Sequence, residues 1–257
     1  MFFSNRSLLA PLAFFFSLIF MGCSEENALS VNQAELAYVD FRQGYQKLEV
    51  NFSDGKTMPY MLHSPFVTSI SKLPLVIVLH GTEPQGMYKG ETILKFLAVP
   101  GLQNLNAVFI APTLMAPHWT YPDALEMIET FVKGALEADW PIDPNKIVVI
   151  GYSNGGMGVW AMTGINPDLF AAGIPVAAEP VIGSLKGTLV VPKYVIHSKA
   201  DEVFPFDEVE RDVLAEIEKG APITFASAEN FSHSGISNYV PMLRESIPWL
   251  KAIIESR

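Results

Sequence analysis

The run Lys146-Ile147-Val148-Val149-Ile150-Gly151-Tyr152-Ser153-Asn154-Gly155-Gly156-Met157-Gly158-Val159-Trp160-Ala161-Met162 joins two hydrophobic patterns across one serine. After Lys146, the next four residues are apolar and β-branched, as in a short strand covered on both faces. From Gly155 the chain can wind into a helix that stops near Asn166-Pro167. Between them lies G-x-S-x-G. On a strand–turn–helix, that pattern lifts the serine above the sheet edge on a sharp, strained turn. Gly151 and Gly155 omit side chains that would strike the neighbouring strand or helix. Ser153 is therefore expected at the tip, poised as a nucleophile.

A serine hydroxyl needs a base at neutral pH, and the base needs an orienting acid. Both are expected downstream of the elbow, in the order acid and then histidine. Pro192-Lys193-Tyr194-Val195-Ile196-His197 reads as a strand, and Ser198-Lys199-Ala200-Asp201 runs off its carboxyl end. An amphipathic segment from Phe206 to Lys219 and a strand-like Ile223-Thr224-Phe225-Ala226 follow. The loop Glu229-Asn230-Phe231-Ser232-His233-Ser234-Gly235 then leads to the last helix. These placements make Asp201 the acid and His233 the base. Glu202, Asp207 and Glu179 stand behind Asp201 as alternative acids.

The chain has five histidines. His63 falls late in an early hairpin strand and reads as a surface residue. His80, before Gly81, reads as a structural residue of the loop that stabilises the oxyanion. His118, beside Trp119, is placed to line the pocket. His197 is the rival base, although a side chain on that strand end is more often packed beneath the site. The tetrahedral oxyanion calls for preorganised donors. The N–H of Asn154 supplies one, and the loop after Leu73-Pro74-Leu75-Val76-Ile77-Val78-Leu79-His80-Gly81-Thr82 supplies the other through Thr82, with Gly81 as the alternative. The short His-Gly form argues against esterases that build this loop from a glycine triplet.

Gly-Tyr-Ser-Asn-Gly-Gly-Met-Gly-Val-Trp-Ala, with Asn-Pro-Asp-Leu-Phe-Ala-Ala-Gly-Ile-Pro-Val after it, resembles α/β-hydrolases of the predicted-peptidase group. That group is close to polyhydroxybutyrate depolymerases, feruloyl esterases and the phospholipase/carboxylesterase family. Val-Leu-His-Gly, Ile-His-Ser-Lys-Ala-Asp-Glu-Val-Phe-Pro-Phe and Phe-Ser-His-Ser-Gly match its other stations, so the resemblance spans roughly residues 73–250. It implies an α/β-hydrolase fold, hydrolysis through Ser153, Asp201 and His233, and a tryptophan near the site, which Trp119 matches. Trp119 and His118 are accordingly expected to bind substrate. The chain departs from the group at Glu83-Pro84-Gln85-Gly86 and at Ile236, both of which bear on substrate identity.

The 257-residue chain fits one α/β domain. Apolar strands alternate with helical segments at Asp123 to Asp139, Gly155 to Asn166, Val209 to Lys219 and Tyr239 to Glu255, which predicts a doubly wound, mostly parallel sheet. Leu36 to Asn51 and Met58 to Ser64 read as an antiparallel start around a turn at Phe52-Ser53-Asp54-Gly55-Lys56. The connection from Glu179 to Lys193 is too short for a cap domain, so an open cleft is expected, roofed by the Glu83 to Gly90 and His118 to Tyr121 loops. A net charge of −10 disfavours a nucleic-acid partner. No ligand-spaced histidine cluster or dinucleotide fingerprint is seen, so neither metal nor cofactor is expected.

Arg6, the apolar run Leu8 to Phe20 and Phe20-Met21-Gly22-Cys23-Ser24 read as a targeting segment, shorter than a spanning helix requires. Cys23 is the only cysteine. At that position it resembles a bacterial lipobox, whose thiol is acylated. The expected layout is a lipoprotein signal at 1–22, a tether at 23–35 and the hydrolase domain at 36–257. The protein would then sit in a bacterial envelope, lipid-anchored at the periplasmic face or the outer membrane, and otherwise be secreted. The expected activity is cleavage of carboxylic esters with short acyl or bulky alcohol groups. A peptidase or amidase of the same fold is the alternative, and a lipid-anchored binding protein without catalysis is the remaining one.

Overall fold

A computed structural model of the chain describes residues 28–67, 72–82, 86–181 and 189–257. The described chain opens with α1 (Gln33–Ala37), capped by the Asn32 side chain, which accepts from the Ala34 N–H. An antiparallel hairpin follows, β1 (Gly44–Asn51) against β2 (Thr57–Ser64), with Gly44 opposite Ser64 and Asn51 opposite Thr57. The first strand thus begins at Gly44 and not at Leu36. The Asn32 cap starts a helical turn that buries Leu36, whose carbonyl accepts from the Trp140 indole at 3.0 Å.

The other strands are β3 (Leu73–Leu79), β4 (Val108–Pro112), β5 (Ile142–Tyr152), β6 (Ala172–Val176), β7 (Lys193–Ser198) and β8 (Ile223–Ala228). They form one sheet in the order β1-β2-β4-β3-β5-β6-β7-β8. From β4 to β8 every pairing is parallel, whereas β2 meets β4 antiparallel, with Tyr60 opposite Pro112. Helical segments cover both faces: α2 (Glu91–Ile93), a π-helical turn (Leu94–Ala98), α3 (Val99–Leu102), a 3₁₀ turn (Gln103–Leu105), α4 (Pro122–Glu137), α5 (Asn154–Ile165), α6 (Phe206–Glu218), a second 3₁₀ turn (Ile236–Tyr239), α7 (Val240–Glu245) and α8 (Ile247–Glu255). The stretch from Glu91 to Leu105 has no counterpart in the sequence reading.

The two-faced burial explains why the central strands are apolar throughout. In β3, Leu75, Ile77 and Leu79 belong to one core, with α4 beneath them. Val76 and Val78 belong to the other, with residues of the 91–105 stretch, α7 and α8. Period-two alternation therefore sorts side chains between two apolar layers rather than between core and water. The single last helix expected from Tyr239 to Glu255 is broken instead. Pro248 cannot donate a backbone N–H, and the Ser246 hydroxyl bonds back to the Leu243 carbonyl at 2.7 Å.

Residues 28–35, expected to be a tether, are docked on the domain. The Ser53 N–H donates to the Ser30 carbonyl and the Asn32 N–H to the Asn51 carbonyl, both at 2.9 Å, and Val31 is buried. Because β2 runs antiparallel to β4, the 52–56 turn lies at the sheet edge where the parallel strands end. The chain therefore joins the domain at that edge. His63 is half-buried between the rings of Tyr45 and Phe109, at 4.6 and 5.8 Å, and is not the surface residue expected. Among the described residues no helix is long and apolar enough to cross a membrane. The signal segment and Cys23 lie outside the described residues, as do parts of the Glu179 to Lys193 connection and of the Glu83 to Gly90 loop.

Candidate active site

The strand-to-helix turn at the end of β5 holds Ser153 at φ 56° and ψ −122°, a conformation that costs an L-residue energy. Its surroundings keep it there. The Ser153 N–H donates to the Val176 carbonyl at 3.0 Å, and the Ser153 carbonyl accepts from Met157 at 3.1 Å. A Cβ on Gly151 would run into the Gly155 carbonyl, and one on Gly155 into the Leu79 carbonyl. Both glycines are thus required by close backbone approach.

Above the turn, three side chains join in a line. His233 Nε2 lies 2.9 Å from Ser153 Oγ, and His233 Nδ1 lies 2.8 Å from Asp201 Oδ2. Asp201 follows β7, while His233 stands on the loop between β8 and the second 3₁₀ turn. The other Asp201 oxygen accepts the N–H groups of Val203 and Phe204, each at 2.9 Å. Burial by itself would raise the Asp201 pKa. The hydrogen bonds from His233, Phe204 and Val203 outweigh it and hold the carboxyl below its ordinary value. An ionised Asp201 makes Nδ1 the protonated nitrogen of a neutral His233, which leaves the Nε2 lone pair facing the serine hydroxyl.

The rival assignments separate on geometry. His197 is fully buried, and its Nε2–H donates to the Phe204 carbonyl at 2.8 Å, so it lies beneath Asp201. Glu179 and Asp207 are exposed. Glu202 instead accepts the backbone N–H of His233 at 2.9 Å.

Asn154 opens α5, where the first N–H groups have no partner within the helix. Gly81 and Thr82, with Tyr152, Ser153, Val203, His233 and Ser234, line a cleft of about 370 Å³. Gly81 is so close that a Cβ on it would stand 3.3 Å from that of Ser153. His80 anchors this loop from below. Its Nδ1–H donates to the Gly81 carbonyl at 2.6 Å, and its Nε2 accepts from the Leu114 N–H at 3.0 Å. Burial pushes its pKa down to about 4, which keeps the ring neutral in that tautomer.

The fold has solved counterparts. A thermostable esterase superposes with a TM-score of 0.65 at 22% identity, over 81% of this chain and 62% of its own. The S-formylglutathione hydrolase FrmB of Staphylococcus aureus gives 0.64 at 15% identity, over 81% of this chain and 99% of its own. The chain has the α/β-hydrolase fold. The model of the prolyl oligopeptidase family matches residues 115–182 of this α/β-hydrolase chain, a stretch that contains the elbow. NocK of Nocardia uniformis subsp. tsuyamanensis, named as a candidate esterase, is 29% identical over 167 residues, 60% of this chain. The chain spans about half, 48%, of that relative's length.

Within the α/β-hydrolase frame, two expected substrate-binding residues have other places. Trp119 is 1% exposed, and its indole N–H donates to the His80 carbonyl at 2.8 Å, so its ring supports the loop and offers no face to a substrate. His118 is half-buried 3.5 Å from the Thr120 hydroxyl, and the cleft's lining does not include it. Two other rings border the base. Tyr152 stacks on His233 at 5.5 Å and 30°, and Phe204 meets it edge-on at 5.5 Å. Both could have been flagged from position alone, one before the elbow serine and one three residues after Asp201. Among the described residues, no three His, Cys, Asp or Glu side chains gather so as to hold a metal ion.

Proposed function

We propose that the protein is a serine hydrolase that cleaves carboxylic esters through an acyl-enzyme. The carrying observation is the unbroken hydrogen-bonded line from Ser153 through His233 to Asp201, mounted on a strained elbow. In this reading, His233 Nε2 takes the Ser153 proton as Oγ attacks the ester carbonyl. The N–H groups of Asn154 and Thr82 receive the oxyanion, and Asp201 stabilises the imidazolium. His233 returns its proton to the departing alkoxide, leaving Ser153 acylated. Water, deprotonated by the same histidine, then releases the acid. The cleft of about 370 Å³ favours short acyl groups, since little apolar wall is available to longer chains. Trp119, being buried, offers no ring to a bulky aromatic alcohol.

The match of residues 115–182 to the prolyl oligopeptidase family supports a second reading, amide cleavage by the same groups. There His233 must protonate a poorer leaving group. The test is a panel of p-nitrophenyl acetate, butyrate and decanoate beside peptide p-nitroanilides, run on wild type and Ser153→Ala. Ester turnover that falls with acyl length and vanishes in Ser153→Ala is expected, together with loss of fluorophosphonate labelling. Labelling that survives in Ser153→Ala would refute the nucleophile. Anilide turnover exceeding ester turnover would favour the peptidase. We also infer, from the lipobox-like run ending at Cys23-Ser24, that the protein is anchored to an envelope membrane by an acylated Cys23.

A further inference from the structure

His197 is the one fully buried histidine beside the triad that the proposed reaction does not use. Burial holds its imidazole below the ordinary pKa, so it is neutral, and its Nε2–H donates to the Phe204 carbonyl at 2.8 Å. Its Nδ1 is buried with no hydrogen-bond partner among the described residues. A bare acceptor in a core costs stability. An aliphatic side chain would fill the same space without it, so packing does not account for a histidine here. The donor does. Phe204, which receives it, makes three contacts with the site: its N–H donates to Asp201 Oδ1, its carbonyl accepts from His197 Nε2–H, and its ring meets His233 edge-on. The Asp201–Phe204 turn is thereby tied to β7 from below and to both triad partners from above.

We propose that His197 is a positioning residue for the triad: by pinning the Phe204 carbonyl it fixes the turn whose N–H groups aim the Asp201 carboxylate at His233 Nδ1. His197 touches no substrate and moves no proton. Without its donor, the Phe204 carbonyl loses this partner and the turn can rotate to find another. The Val203 and Phe204 N–H groups then move off Asp201 Oδ1, and the carboxylate no longer fixes the His233 tautomer. The inference rests on the proposed triad.

The test compares two variants of similar length in the full-length protein. His197→Gln keeps an N–H donor that can reach the Phe204 carbonyl, and His197→Met does not. With p-nitrophenyl acetate, we expect His197→Gln to retain kcat within about threefold of wild type. We expect His197→Met to lose roughly 10- to 100-fold in kcat with KM little changed, because the defect lies in transition-state alignment rather than binding. The discriminating measurement is a double-mutant cycle. In an Asp201→Asn background the His197→Met loss should shrink to less than threefold, since the carboxylate it positions is already gone. Should His197→Met not fold, His197→Asn, whose shorter amide falls short of the Phe204 carbonyl, takes its place in both arms.

Equal kcat in wild type and the donorless variant would overturn the inference, as would a loss that multiplies undiminished with Asp201→Asn. Neither result touches the hydrolase reading. A wild-type protein that neither turns over an ester nor labels with fluorophosphonate would refute that reading instead, and this inference with it.

Discussion

The indole N–H of Trp119 donates to the carbonyl oxygen of His80 at 2.8 Å, and the two rings meet edge-on at 5.3 Å. His80 in turn pins the Gly81 carbonyl, so the loop carrying the expected oxyanion donor Thr82 hangs from a buried tryptophan. Trp119→Ala should therefore cost about 3–5 kcal/mol in urea unfolding. It should lower kcat/KM for small and bulky esters in similar proportion. Trp119→Phe, which keeps most of the packing, should cost nearer 1–2 kcal/mol. A selective loss on aromatic alcohols alone would restore Trp119 to the substrate site.

Asp201→Asn should reduce kcat by about 10³- to 10⁴-fold, since an amide can present its N–H₂ and stabilise the wrong His233 tautomer. The same carboxyl carries a pH signature. Its folded pKa lies below the ordinary 3.8, so its stabilisation is complete above that value and is lost as pH falls through the lower folded one. Acid unfolding curves should fall less steeply below pH 4 in the variant than in wild type.

Lys193 offers a stability test remote from the site. It is fully buried in β7, with its ammonium 3.1 Å from the Val191 carbonyl and 5.4 Å above the Trp160 ring. Burial pushes its pKa down to about 8, against the opposing pull of Glu216. Between about 8 and the ordinary 10.5, the folded chain binds fewer protons than the unfolded one, so stability should rise with pH across that window. Below it the full penalty, on the order of 3 kcal/mol, remains in place. Lys193→Met should be more stable at pH 7 and show a flat profile from pH 8 to 10.5, read by denaturant melts at each pH.

Cys23→Ser tests the anchor. Wild type expressed in a bacterial host should fractionate with membranes and incorporate labelled palmitate, and the variant should do neither. Wild type found wholly in the soluble periplasm would end the lipoprotein proposal.

The central strands and the elbow were legible because local pattern and tertiary role coincide there. β-branched runs sit in β3, β5 and β7, and the G-x-S-x-G pattern can be read within five residues, although Gly155 is also held to glycine by Leu79 of β3. Asp201 and His233 could be placed from strand order alone. The role of Trp119 is not legible in the sequence, which places a tryptophan near the site but not the direction of its ring, and an indole bonding inward to His80 leaves no local trace. The helical stretch from Glu91 to Leu105 was hidden by Pro100 and Gly101. The Leu36 turn was hidden because its helix is one short segment held by a partner about a hundred residues away, Trp140. The half-burial of His63 leaves no trace in the sequence because its neighbour Phe109 comes from β4, a pairing set by sheet order.

The chain joins the domain at Ser30, against the 52–56 turn, on the same sheet edge that bears Ser153. Four strand spacings, roughly 20 Å, separate that point from the elbow. From Cys23 to Ala28 an extended chain reaches at most about 18 Å. If Cys23 is acylated, the leash is no longer than the distance from Ser30 to the elbow, and it is fastened at the end of the sheet that carries the cleft. The domain can then pivot but cannot turn its back. The cleft samples a thin layer of solvent next to the membrane, and the ester concentration it meets is set by what that surface displays rather than by the bulk.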